Sequence, residues 1–334
     1  VRRLFTLFVV LAAGLTAAIP AQAAPAAAEI KVLTSIKPLQ LIAAAVQDGV
    51  GSPEVLLPPG ASPHHYALRP SDVRRVADVD LLYWIGPDME GFLPRVLQNR
   101  SRPAVAVQGL AGMSLRHFGE DQASHDDHDH DAHDGHDHAA HDHGDHDADP
   151  GYEEHDHDHR PGSLDSHLWL STVNARVIAA KMAADLSTAD PANAARYASN
   201  AQAFSKRLDA LDARIKTRVS TIGDKPWFVF HEAYDYFEQA YGLKHTGVFS
   251  VASEVQPGAR HVAAMRERLK ESGKTCVFSE PPLRPKLAET LSAGLPVKLA
   301  ELDALGGYTP ATANGYEQLL EKIANDLVGC LESL

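Results

Sequence analysis

Between Glu120 and His159 the chain reads EDQASHDDHDHDAHDGHDHAAHDHGDHDADPGYEEHDHDH, a run that cannot contribute to a core. It carries 12 of the 19 histidines and 16 of the 44 acidic residues, with no Lys or Arg and almost nothing apolar. Too little apolar surface is present to offset the entropy of ordering, so the composition predicts a solvated segment, and so His-rich a tract reads as metal-binding. Imidazole suits zinc, copper, nickel and iron, whereas carboxylates alone suit calcium, magnesium or manganese, so the mixture favours a borderline transition metal. The histidines concerned are His125, His128, His130, His133, His136, His138, His141, His143, His146, His155, His157 and His159. A tight site is a separate matter. It needs ligands in fixed geometry with an ordered surrounding shell, and these must come from the rest of the chain.

Arg2 and Arg3, the apolar run LFTLFVVLAAGL and Ala21-Gln22-Ala23 have the layout of an export signal with its cleavage site. The apolar run is shorter than the roughly 20 residues of a membrane span. Removing residues 1 to 23 leaves 311 of 334, enough for two domains of ordinary size, and no later apolar run is long enough to span a bilayer. The mature chain is therefore expected to be exported and soluble. Without the 16 acidic residues of the His-rich stretch, the formal charge of −13 becomes about +3, so the acidity belongs to the insert. No basic patch is interleaved with aromatics, which argues against nucleic acid as a partner. Cys276 and Cys330 are the only cysteines. In an oxidising compartment such a pair is expected to form a disulfide, here fixing the last helix to a strand of the second domain. Zinc ligation by the pair is the alternative, without any C-x-x-C spacing to support it.

Short apolar strands alternate with helical stretches along the chain. Ile30 to Thr34, Val55 to Leu57, LLYWIG at 81 to 86 and AVAVQ at 104 to 108 read as strands, with helices near Leu39 to Val46 and from Ser71. WFVFH at 227 to 231, a strand near His245 to Phe249, TCVFS at 275 to 279 and PVKLA at 296 to 300 repeat the grammar, with helices at 259 to 272 and 313 to 331. This alternation predicts an α/β fold with parallel sheets. From Pro191 to about Thr221 good helix formers run without interior Gly or Pro, behind Asp190 as N-cap. About 30 residues at 1.5 Å each make a rod of roughly 45 Å, long enough to hold two lobes at a nearly fixed angle. The resulting division is a signal at 1–23, an N-terminal α/β lobe at 24–118 and the His/Asp-rich loop at 119–160. The end of that lobe follows at 161–189, then the linker helix at 190–222 and a C-terminal α/β lobe at 223–334.

Ligands of open parallel sheets sit beyond the carboxyl ends of the strands. His64 and His65 follow one strand, His231 ends another, Glu280 follows TCVFS, Asp303 follows PVKLA, and His167 in DSHLW lies past the insert. Singly, each reads equally well as a surface or hydrogen-bonded residue, and Glu280 or Asp303 as a helix N-cap. Jointly, three histidines with a fourth position open or filled by a carboxylate make a familiar zinc arrangement.

The runs GASPHHYALRPSD, DSHLWLS, FVFHEAYDYF, SEVQPGAR, CVFSEPPLRP and ELDALG, in that order, resemble the ZnuA-type periplasmic zinc-binding proteins of bacterial ABC importers. The resemblance covers essentially the whole chain. It implies two α/β lobes bridged by a long helix, zinc as the transported ligand, and delivery to an inner-membrane ABC permease driven by a cytoplasmic ATPase, with a zinc-donating periplasmic chaperone as a further partner. Position by position it implies His64, His167 and His231 as metal ligands and Asp303 or water as the fourth. His231 stands where manganese-type relatives have a carboxylate, and Pro63 where some zinc-type members have a Glu. His65 is a further candidate contact. The loop would then be a low-affinity collector, raising local zinc by the effective-concentration argument for linked sites.

A zinc hydrolase needs similar ligands, but His231-Glu232 is followed by Asp235 at the fourth position, so no H-E-x-x-H exists. No G-x-S-x-G or phosphate-cradling loop is present either. The expectation is a binding protein, not an enzyme. A metal buffer without a transporter, or import of manganese or nickel, are the other readings.

Overall fold

The computed structural model describes residues 29–119, 162–250, 259–281 and 286–334. The export signal and the His-rich segment, with the metal ligands expected there, lie outside the described residues.

Two four-stranded sheets, each wholly parallel, carry the fold. The first contains β1 (Val32–Thr34), β2 (Glu54–Val55), β3 (Leu81–Trp84) and β4 (Ala104–Ala106) in the order β2-β1-β3-β4. The second contains β5 (Trp227–His231), β6 (Gly247–Ser250), β7 (Thr275–Ser279) and β8 (Val297–Glu301) in the order β6-β5-β7-β8. Around them lie α1 (Lys37–Val46), α2 (Pro70–Asp78), α3 (Pro94–Leu97), α4 (Thr172–Ala189), α5 (Ala194–Val219), α6 (Asp235–Tyr241), α7 (Ala259–Ser272), α8 (Lys286–Ser292) and α9 (Gly315–Glu332). Among the described residues no helix is long and apolar enough to cross a membrane.

Strands of parallel sheets are covered on both faces, which is why β1, β3, β5 and β7 are buried along their whole length. The two faces of β5 serve different cores. Trp227 and Val229 join one continuous core that also holds Leu33, Leu82, Trp169, Phe204 and Leu320, whereas Phe228 and Phe230 join a smaller one with Phe249, Met265 and Val277. Alternation along a strand places His231 on the side of Trp227 and Val229, facing the core shared by both halves.

The long helix begins later than the sequence predicts. Pro191–Asn193 form a 3-10 turn, and the α-helical part is α5, 26 residues or about 39 Å. Asp190 does not cap it through the backbone amides. Its Oδ2 accepts from the Asn193 side-chain amide at 2.7 Å and from the Tyr197 hydroxyl at 2.9 Å, tying down the first turn from outside. Tyr197, Phe204, Leu208, Leu211, Ile215 and Val219 make its buried stripe at helical spacing. The helix packs on α1, α4, α6 and α9. Arg207–Glu317, Arg214–Glu321 and Arg218–Glu332 pair along the α5–α9 seam at 2.5, 2.7 and 2.7 Å.

The two cysteines form the expected disulfide. Cys276 on β7 and Cys330 on α9 are bonded, with Cα atoms 6.3 Å apart, clamping the last helix to the second sheet.

In the first half, Glu90 is fully buried and accepts from the Ile85 and Gly86 amides at 3.2 and 3.0 Å. Burial pushes its carboxyl from the ordinary 4.5 up to about 7. A folded-state value above the unfolded one means that the neutral carboxyl is preferred in the fold. Its contribution is present below pH 4.5 and is lost as pH rises through about 7. Urea unfolding of the metal-free protein is expected to show Glu90 costing on the order of 3 kcal/mol between those limits. Glu90→Gln should remove that part of the pH dependence; an unchanged profile in the variant would refute the assignment.

Candidate metal centre

His64 lies in the connection from β2 to α2. The strand pairing is prolonged by Leu56 N to Thr34 O and Leu57 N to Ser35 O, at 2.8 and 3.0 Å. At the far end Asp72 Oδ2 accepts from both the Tyr66 hydroxyl and the Arg69 amide at 3.0 Å, closing the first turn of α2. The connection is held at both ends, with His64 half-buried between them and His65 exposed.

His167 opens a single 3-10 turn, Leu168–Leu170, in front of α4. Asp165, almost fully buried, holds it twice: Oδ1 accepts from the His167 amide at 3.0 Å and lies 2.8 Å from ring Nδ1. Burial drives the Asp165 carboxyl well above the usual range, while the His167 amide pulls it the other way. The Tyr236 hydroxyl donates to Asp165 O at 2.9 Å and accepts from Arg116 N at 2.9 Å. The turn is also tied to the second half. Trp169 Nε1 donates to Ala304 O at 2.8 Å, and the Tyr316 hydroxyl donates to Trp169 O at 2.6 Å.

His231 ends β5, a central strand of the second sheet. The strand order reverses between β5 and β7, and ligand sites of open α/β sheets lie at such points. Glu280, the residue after β7, reaches across that gap to place Oε2 at 3.2 Å from His231 Nδ1.

These three histidines converge. One ring nitrogen of each lies within 4.8 Å of one of each of the others, and the ring centroids are 5.0 to 5.6 Å apart. Asp165 and Glu280 oxygens at Nδ1 of His167 and of His231 orient those rings, and with Nδ1 as donor Nε2 would offer its lone pair to a metal. A tetrahedral zinc with Zn–N of about 2.0–2.1 Å needs nitrogens about 3.4 Å apart, so the rings must approach by at most roughly 1.4 Å.

Asp303 does not join the group. Its Oδ1 accepts from the Leu305 and Gly306 amides at 3.0 and 2.7 Å, and Oδ2 from the Gly307 amide at 3.1 Å, locking the turn after β8. Burial raises its carboxyl and those amides oppose the rise. His65 is outside the group as well, its ring 6.4 Å from that of His64.

Sequence reasoning overlooks Asp165, although an acid two residues before a candidate ligand, as in DSH, is a readable sign of a ring-orienting partner. It notes Glu280 as a strand-end carboxylate without its role toward His231. Both are expected to act on affinity through the rings they hold. Asp165→Asn and Glu280→Gln should each weaken zinc binding about 10–100-fold at neutral pH in a competition titration with a chromogenic chelator. An effect under about twofold in both would show that the rings are oriented without them.

The family model ZnuA, "Zinc-uptake complex component A periplasmic", matches residues 32–330. A curated relative from Brucella abortus (strain 2308), the "High-affinity zinc uptake system protein ZnuA", is 40% identical over 305 residues, covering 90% of this chain and 91% of that protein. Among solved structures, a manganese complex of the binding protein FpvC from Pseudomonas aeruginosa has a TM-score of 0.69 at 21% identity, covering 91% of this chain and 99% of that one. The periplasmic zinc-binding protein TroA from Treponema pallidum also has a TM-score of 0.69, at 18% identity, covering 91% and 99%. Both solved structures share the fold, two parallel sheets with a long connecting helix.

Proposed function

Since this chain belongs to the ZnuA family of zinc-uptake binding proteins, we propose that it captures zinc in the periplasm through His64, His167 and His231 and hands it to an ABC-type permease for import. The observation that carries this reading is the convergence of three imidazole nitrogens within 4.8 Å, two of the rings oriented by carboxylates. Neutral nitrogen donors suit zinc better than the hard, oxygen-seeking cations. The ligands come from the two halves, so the ion sits in a cleft between an N-terminal lobe (24–118 with 161–189) and a C-terminal lobe (223–334), spanned by the linker helix. The fourth position goes to water in preference to Asp303, whose two oxygens already serve three amides. Zinc is cargo, and the chemistry is ligand exchange.

The His-rich segment acts as a collector beside the tight site. Deleting residues 120 to 159 should leave one tight zinc per chain while lowering the total number of ions bound at saturation. Loss of the tight event with the segment would refute the collector role.

The reading as a whole is tested in the cell. A strain lacking this chain should fail to grow when periplasmic zinc is chelated, and added zinc should restore growth. Rescue by manganese or nickel but not zinc would transfer the assignment to that metal, and undiminished growth under chelation would point to a metal buffer.

A further inference from the structure

The turn that follows β8 touches each of the three segments carrying the converging histidines. Leu302 O accepts from the hydroxyl of Tyr234, which lies just beyond His231 in the chain. Ala304 O accepts from Trp169 Nε1 at 2.8 Å, and the Trp169 ring lies 5.4 Å from that of His167. Gly307 rests on Pro59 and Gly60, in the connection that leads to His64. A Cβ added to Gly307 would stand 3.6 Å from Pro59 Cβ and 3.9 Å from the Gly60 nitrogen.

The first two ties are shielded from water, since Trp169 is fully buried and Tyr234 nearly so, which makes each hydrogen bond costly to break. The third is a contact between two stiff turns. On one side Ala61 N donates to Pro58 O at 3.1 Å, closing a turn with Pro59 in its second position and Gly60, at φ +79°, in its third, where proline and a left-handed glycine belong. On the other side Asp303 holds the Leu305, Gly306 and Gly307 amides. Gly306, at φ +62°, is backed by Leu319 of α9, whose Cδ1 lies 2.7 Å from where a Cβ would be. Neither turn yields easily, so a displacement at Gly307 passes along the connection to His64. Zinc is sensitive to such a displacement, because its ligand distances hold only within about 0.2 Å.

Resting on the reading of His64, His167 and His231 as the zinc site, we propose that residues 302–307 are the gauge that sets the spacing of the three rings. Trp169 and Gly307 are positioning residues, acting on zinc through the histidines they place, with no atom of the turn touching the ion. Asp303 contributes as the lock of the turn. Its loss leaves the ties to Tyr234 and Trp169 in place, so zinc is released sooner but is still held tightly.

The test is zinc binding to the mature full chain, measured by competition with a chromogenic chelator and by stopped-flow release, beside the visible bands of bound cobalt(II), which report ligand geometry. The Gly307 backbone lies outside the left-handed region, so a side chain there is opposed only by what it meets. Gly307→Val adds two methyls beyond a Cβ that already touches Pro59, and Trp169→Phe keeps an aromatic ring while removing the hydrogen bond to Ala304. Each should weaken zinc binding about tenfold or more, mainly through faster release, and alter the cobalt bands. Gly307→Ala, whose Cβ meets Pro59 at ordinary contact distance, should bind within about twofold of the wild type. An effect under about twofold in either Gly307→Val or Trp169→Phe overturns the proposal, as does an equal loss in Gly307→Ala. Weaker binding with unaltered cobalt bands would mean a general loss of stability and overturns it too. A wild type without tight zinc, or tight zinc retained with all three histidines changed to alanine, would instead overturn the proposed function and this inference with it.

Discussion

Replacing His64, His167 and His231 together with alanine is expected to abolish tight zinc binding, lowering affinity at that site by at least about a thousandfold, because each substitution removes one of the three converging nitrogens proposed to hold the ion. Calorimetric titration of the mature protein at neutral pH should show one tight event followed by weak ones, and the triple variant only the weak ones. Matching isotherms would mean that these histidines are not the principal site. Protons compete for the same ring nitrogens, so the tight event of the wild type should weaken steeply on acidification, and zinc should be released in acid. Alanine at Asp303 is expected to leave the tight event in place, since its carboxylate is occupied with the amides of Leu305, Gly306 and Gly307.

The disulfide carries the largest expected effect on stability. Cys276 and Cys330 are separated by 54 positions, and closing a loop of that length removes about 4 kcal/mol of conformational freedom from the unfolded chain in the entropic account. Cys276→Ser/Cys330→Ser should therefore unfold at lower urea concentration, with a loss of about 4 kcal/mol and a melting temperature lower by roughly 10 °C. A loss below about 1 kcal/mol would show that the packing of α9 secures the second sheet without the covalent link. Leu319, Leu320, Ile323, Leu327 and Leu331 are buried in that packing, so the reduced chain is expected to fold, though less stably.

Much of the fold is legible because the strands are apolar runs of the right length between turn residues, and WFVFH announces both β5 and the histidine at its end. The helix α4 is not legible in the same way. It is buried at Ala175, Ile178, Ala179, Met182, Ala183 and Leu186, but alanines on every side of TVNARVIAAKMAADLSTA blur the apolar stripe that would declare it. The start of α5 is misplaced by three residues because Pro191 suits the first position of a 3-10 turn as well as that of an α-helix. In the candidate site, strand-end position makes His231, Glu280 and Asp303 visible, yet cannot tell a ligand from a side chain that orients one or locks a turn. That distinction rests on where each oxygen points: Glu280 toward His231 Nδ1, Asp303 toward its own loop.

The chain leaves for the His-rich segment and returns through a narrow antiparallel ladder. Phe118 N donates to Ser163 O at 3.0 Å, Gly162 N to Phe118 O at 2.8 Å, and His117 pairs with Leu164. Two chain ends already pinned side by side make the fold nearly indifferent to what joins them. Doubling or halving such a connection alters the closure cost by only about 0.6 kcal/mol. Residues can thus be gained, lost or exchanged there over evolutionary time with little penalty to the scaffold, so the composition of the connection can change while the sheets and the disulfide stay as they are.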